Sequence, residues 1–150
     1  MLAIVIFVRA YMYSIIEVKN YQMIRVCCAI IEKQGKVLAA KRGQYMYLSG
    51  HWEFPGGKVE TGETDENCIC REIKEELNLD ISILGKLMEV VFSYPEKSIR
   101  LIPFVCKIMN GEITLKDHSE FKWIKPSLWN QLKWAAADIK VIEQYLKKEK

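Results

Sequence analysis

The sequence predicts an α/β chain of the α+β kind, a mixed β-sheet sandwiched between helices, in one domain. Three observations carry this. Residues 24–31 form an apolar, β-branched run fit for a central strand, with a return partner at 36–40 across the Glu32-Lys33-Gln34-Gly35 turn. Residues 64–77 have helical periodicity, with Ile69, Ile73 and Leu77 every four residues along an apolar stripe. After that helix, two long strand-like runs, 81–94 and 98–109, flank Pro95-Glu96-Lys97, and an amphipathic helix at 135–148 closes the chain through Ile139, Ile142 and Leu146. At 150 residues, half of them apolar, the chain has enough core to stand without staples.

The remaining elements follow in order. Residues 1–20 read as an N-terminal extension, and 21–150 as the domain itself. The apolar run 1–8 is too short to span a bilayer and lacks the basic start and small-residue cleavage site of a signal peptide. It reads as an added edge strand, an oligomer contact, or residues upstream of a start at Met12 or Met23. Residues 42–51 form a polar, aromatic-rich loop of the kind that closes over ligands. Trp52-Glu53-Phe54-Pro55-Gly56-Gly57 is a glycine turn, where side-chain-free positions permit close backbone approach. Thr64 is the N-cap of the first helix, with Asp65 and Glu66 in the first turn, where acids suit the dipole. Asn110-Gly111 is a turn, 121–124 a short strand, and 126–132 a short helix opened by Pro126.

Charge and cysteine usage exclude several classes. A net charge of +3 without a basic stripe argues against nucleic-acid binding. The five cysteines include no C-x-x-C, and with only His51 and His118 as histidines a zinc site is not expected. Reduced thiols serving as small hydrophobes in a cytoplasmic protein are the expectation. No membrane partner is expected, and the chain is read as a monomer or homodimer.

On the helix, Glu72, Glu75 and Glu76 stand at i, i+3 and i+4, so three carboxylates share one flank. Alone, that pattern means a solvated acidic face. Its setting says more. Gly57, five residues, Glu63, seven residues, then Arg71-Glu72-Ile73-Lys74-Glu75-Glu76-Leu77-Asn78-Leu79 resembles the Nudix box, G-x5-E-x7-R-E-U-x-E-E-x-G-U with U aliphatic. Asn78 stands where the family has glycine, at a helix end that favours the left-handed conformation, for which Asn is the next best residue. With Trp52-Glu53-Phe54-Pro55-Gly56-Gly57-Lys58 before it, the stretch is similar to the MutT-like branch of nucleoside triphosphate pyrophosphohydrolases, and the likeness runs over about residues 23–148.

That resemblance implies a Nudix fold and hydrolysis of a nucleoside triphosphate to monophosphate and pyrophosphate, with Mg²⁺, or Mn²⁺ in its place, between acids and polyphosphate. It implies Glu72, Glu75, Glu76 and the Gly56 carbonyl as metal ligands, and Glu72 or Glu75 as general base or its orienter. Arg71 is then the partner of Glu63 that ties loop to helix and steadies Glu72 or Glu75. Glu120, three residues before Trp123, is a further metal-ligand candidate or an ordinary exposed residue. Arg42 and Lys58 are phosphate contacts or surface residues. Asp138 reads the base edge or caps a helix starting at Ile139, and Trp123 and Trp134 supply a stacking wall or belong to the core. As an ionised acceptor, Asp138 would favour 8-oxo-dGTP, with CTP or a modified dCTP next. Two other classes remain open: a Nudix enzyme of ADP-ribose or another nucleoside diphosphate derivative, and a non-catalytic nucleotide-binding module. If the first twenty residues lie outside the core, a chain beginning at Tyr21 folds and retains full activity. Loss of soluble protein on that truncation would make residues 2–8 structural.

Overall fold

A computed structural model of the chain describes residues 23–148. The expectations for residues 1–20 therefore lie outside the described residues. Two strands begin the domain, β1 (Ile24–Lys33) and β2 (Lys36–Arg42), joined through Gln34 and Gly35, both at positive φ (51° and 69°). Two successive left-handed residues make the tight primed turn that suits a twisted hairpin. The register holds only for Glu32–Val37 and Lys33–Lys36, and then the strands part.

Two short strands fill the gap. β3 (Trp52–Glu53) pairs with Lys41 and Ala40 of β2, and β4 (Gly56–Lys58) pairs with Cys28, Cys27 and Val26 of β1. Pro55 O accepts from Ala29 N at 2.9 Å between them. What reads in the sequence as a glycine turn is thus a pair of strands crossing from one side of the split to the other. A Cβ on Gly56 would collide with the Cys27 carbonyl, so this approach needs glycine.

Helix α1 (Asp65–Leu77) follows as expected. Thr64 Oγ1 accepts from Asn67 N at 3.2 Å, and Cys68, Ile69, Ile73 and Leu77 are buried. Asn78 closes the helix at φ 57°, its N–H on the Lys74 carbonyl.

Beyond it lie β5 (Asp80–Lys86), β6 (Val90–Tyr94) and β7 (Lys97–Asn110). The single strand expected over 81–94 is broken at Leu87–Glu89. The cause is Pro103 in β7. Its carbonyl accepts from Leu87 N, so the same edge of Pro103 faces the break, and proline has no N–H to offer a continuous partner there. Pro95-Glu96 is a two-residue hairpin turn between paired Tyr94 and Lys97. β8 (His118–Ile124) pairs with β2, beginning three residues earlier than the sequence indicates. A 3₁₀ helix (Pro126–Gln131) leads to helix α2 (Ala136–Lys148).

β1 is central, parallel to β7 and buried on both faces. Cys28 and Ile30 face a core beneath α2 with Leu101, Val141 and Tyr145, while Cys27, Ala29 and Ile31 face one beneath α1 with Ile73, Leu77 and Phe104. Helices on both faces of a mixed sheet is the architecture expected. The buried stripe of α2 is Ala137, Val141 and Tyr145 with Asp138 and Ile142, rotated from the Ile139–Leu146 line, because Asp138 turns inward. Cys27, Cys28, Cys68 and Cys106 are buried free thiols and Cys70 is exposed. No helix among the described residues is long and apolar enough to cross a membrane.

The left-handed cap gives a direct test. Asn78→Ala should cost about 1 kcal/mol, and Asn78→Gly should leave stability equal or higher, as read by urea denaturation.

Candidate active site

The parting of β1 and β2 leaves a cavity of about 210 Å³ between the inserted strands and the two helices. Gly56, Gly57, Lys58, Arg42, Glu53, Phe54, Glu76 and Asp138 all line it. The structure therefore brings Gly56, Arg42, Lys58, Glu76 and Asp138 together from four separate stretches of chain.

On α1, Arg71 is the hub. Its guanidinium forms a fork with Glu63 (2.7 and 3.0 Å), reaches Glu72 (2.8 Å) and Glu75 (3.3 Å), and donates to the Lys58 carbonyl (3.1 Å). Both readings of Arg71 hold at once: it ties loop to helix and it steadies the acids. The Arg71 hydrogen bonds, then the Glu60 N–H, hold the Glu63 carboxyl down to about 2. A Cβ on Gly57 would strike the Glu72 carboxylate, so the glycine keeps that acid pressed against the strand. Glu75 is half exposed, whereas Glu76 points inward. Burial first, and then the charges of Glu53, Glu72 and Asp117, push Glu76 up to about 7 against the opposing pull of His118. Its Oε2 is buried without a hydrogen-bond partner.

Glu53 accepts from His118 Nε2 at 2.8 Å and pairs with Arg42 Nε at 3.4 Å. Burial works against a charge on His118, but the Glu53 hydrogen bond and the charges of Glu53 and Glu76 outweigh it and raise its pKa. At the other end, Asp138 Oδ1 accepts from Phe54 N at 2.8 Å. Burial and then the Glu53 charge push this carboxyl up to about 8. It stands in the first turn of a helix that starts at Ala136, not at the cap before Ile139. Tyr94 Oη accepts from Ala137 N at 3.2 Å, and Tyr94 packs edge-on to Tyr47 at 5.8 Å. Lys97 Nζ lies 4.4 Å from the Tyr47 ring centroid. Both tyrosines and Lys97 line the cavity.

Two expected residues are placed elsewhere. Glu120 pairs with Lys41 (3.5 Å) and Lys122 (3.3 Å) instead of joining the acids. The reason is a bulge: Lys41 faces Glu120 but the next residue, Arg42, faces His118, so two residues of β8 oppose one step of β2. That puts His118, and not Glu120, on the face of the acids, with Asp117 beside it acting on Glu76. Trp123 is half-buried against the core beneath α1 with Lys33 over its ring, on the other side of the sheet from Asp138. Trp134 is core as well, backing Phe54 at 5.0 Å. Glu53, His118, Asp117, Tyr47, Tyr94 and Lys97 went unassigned in the sequence. Glu53 was the findable one, inside the expected glycine turn and three residues before Gly56.

With this geometry in place, the comparisons decide the family. The chain matches the NUDIX domain over residues 21–145. It belongs to the Nudix family. It is 31% identical over 125 residues to the CTP pyrophosphohydrolase of Escherichia coli (strain K12), across 83% of this chain and 93% of that one. It is 36% identical over 90 residues to the 8-oxo-dGTP diphosphatase of Proteus vulgaris, across 60% and 80%. The solution structure of MutT from methicillin-resistant Staphylococcus aureus 252 superposes with a TM-score of 0.70 at 34% identity, covering 85% and 98%. The protein is a Nudix hydrolase of the MutT-like branch.

Nudix hydrolases generally need a divalent metal. Among the described residues no three acidic, imidazole or thiol groups converge as a preformed cation site. Glu72 and Glu75 are turned to Arg71 instead. The donors still fit a hard cation: they are all oxygens, and Glu76 Oε2 is buried and unpartnered.

The displaced pKa of Glu76 carries a stability cost. An acid whose folded pKa exceeds its unfolded value favours folding only while protonated, so its contribution is lost as pH rises from about 4.5 to about 7. In chelator, Glu76→Gln should therefore stabilise the protein by about 1–3 kcal/mol at pH 8, with the gain vanishing near pH 4. Thermal melts across pH check this.

Proposed function

We propose that this Nudix hydrolase is a Mg²⁺-dependent nucleoside triphosphate pyrophosphohydrolase that releases a monophosphate and pyrophosphate. Its role would be nucleotide-pool sanitation, with 8-oxo-dGTP and CTP or a modified dCTP as the leading substrates. The observation that carries this is one cavity lined both by Asp138 and aromatic rings and by Glu76, Gly56 and Gly57. Arg42, Lys58 and Lys97 lie along it. The names of the CTP and 8-oxo-dGTP relatives support the same reading.

Mg²⁺ or Mn²⁺ would be held by Glu72, Glu75, Glu76 and the Gly56 carbonyl, and when bound it neutralises polyphosphate charge and makes water more acidic. The rest is the work of the side chains. Arg71 keeps Glu72 and Glu75 oriented, so either acid can take the proton of the attacking water. Arg42, Lys58 and Lys97 neutralise the phosphate chain. Phe54 and Tyr47 offer apolar faces to the base.

Asp138 sets the choice of base. As a neutral acid it presents one acceptor and one donor, which fits the amino and ring nitrogens of cytosine or the N7–H and O6 of 8-oxoguanine. The intact carboxylate helix and the hydrolase relatives speak against a binding-only module.

Hydrolysis should need Mg²⁺ or Mn²⁺, stop in chelator, and fall by orders of magnitude in both Glu72→Gln and Glu76→Gln. Asp138→Ala should change the ratio of kcat/KM between CTP, 8-oxo-dGTP and dGTP by about tenfold or more while phosphate chemistry survives. Near-normal turnover in both glutamine variants, or unchanged ratios in Asp138→Ala, would refute the corresponding assignment.

A further inference from the structure

Among the described residues, three buried side-chain nitrogen or oxygen atoms lack a hydrogen-bond partner: Arg42 Nε, Glu76 Oε2 and His118 Nδ1. All three belong to one cluster around Glu53. Buried polar groups are nearly always satisfied, so this concentration marks a network built for something besides stability. Glu53 is its centre. One oxygen is taken by His118 Nε2 at 2.8 Å and the other lies 3.4 Å from Arg42 Nε.

That division matters because a carboxylate with both oxygens free binds a guanidinium as a two-pronged fork. Such a fork would draw Arg42 onto Glu53 and away from the cavity it lines. His118, fully enclosed and turned inward by the β8 bulge, blocks one prong. Arg42 then meets Glu53 only through an ion pair at Nε, 3.4 Å away and not closed into a hydrogen bond, which leaves its terminal nitrogens for another acceptor.

We propose that His118 is a positioning residue for substrate: by occupying one oxygen of Glu53 it holds the Arg42 guanidinium toward the phosphate chain of a nucleoside triphosphate. This rests on the reading of the site as a nucleotide site. Holding the arginine in place before binding lowers the ordering cost of binding, so the effect falls on KM more than on kcat.

The test is steady-state kinetics with Mg²⁺ and CTP or 8-oxo-dGTP, whichever the unaltered chain hydrolyses. His118→Phe fills the space without a donor and should raise KM about tenfold while kcat changes less than about threefold. His118→Gln, whose amide nitrogen can reach Glu53, should restore KM to within about twofold. In an Arg42→Ala background, His118→Phe should add nothing further to KM, because the group it positions is gone. If the phenylalanine variant does not fold, His118→Asn, too short to reach Glu53, replaces it with the same expectation. A folded variant with unchanged KM, a failure of the glutamine variant to rescue, or effects that add fully to Arg42→Ala would each overturn the inference. Absence of nucleotide hydrolysis by the unaltered chain would instead overturn the proposed function, and that outcome is read on the wild type alone.

Discussion

The parting of β1 and β2 after two residue pairs is the constraint on which the rest depends. Strand edges left open inside a protein must find other partners, because unpaired backbone N–H and C=O groups are costly. Here the partner is residues 52–58, which satisfy β2 with Trp52 and Glu53 and β1 with Gly56 to Lys58. Trp52 N and O are further tied to Lys133 and Ala135, which anchors the start of α2 to the same crossing. One backbone requirement thus sets the glycine turn against α1, Glu53 against β8, and Phe54 against Asp138.

The electrostatics of the cavity follow from that enclosure. Glu53, Glu76 and Asp138 approach one another in a space sheltered from water, where like charges are screened poorly. The protein balances them unevenly. Glu72 and Glu75 share Arg71, and Glu53 has His118 and Arg42, but Glu76 has an oxygen with no partner. A fold selected only for stability would not keep that acid, and the proposed divalent cation with its polyphosphate substrate would supply what it lacks. The strain is thus located where the chemistry is proposed to occur.

The two helices play different parts. α1 gives the site a rigid row of carboxylates, since Ile69, Ile73 and Leu77 fasten the adjoining face to the sheet. α2 gives it Asp138, an acid in a first turn that faces the core instead of solvent. Between them the hairpin of β6 and β7 and the loop after β2 bring Lys97, Tyr94 and Tyr47 to the mouth of the cavity.

The sequence by itself determined the local parts: the Thr64 cap, the α1 stripe, the left-handed Asn78 and the spacing from Gly57 to Leu79. Each depends on residues a few positions apart, where helix period and capping chemistry act directly. The family was legible for the same reason, because its signature is a single continuous stretch. Tertiary structure alone decided which distant side chains meet. Glu120 read equally as a further acid for the site or as an ordinary exposed residue, and one bulge in β8 left it at the surface with lysines and put His118 beside the acids. Trp123 read equally as a stacking wall or as core, and strand alternation packed it, half-buried, against the core beneath α1. Pro103 split a run that reads as one strand, because the missing N–H matters only beside the partner strand it faces. Register, bulges and burial are properties of paired strands and closed cavities, and no window of sequence contains them.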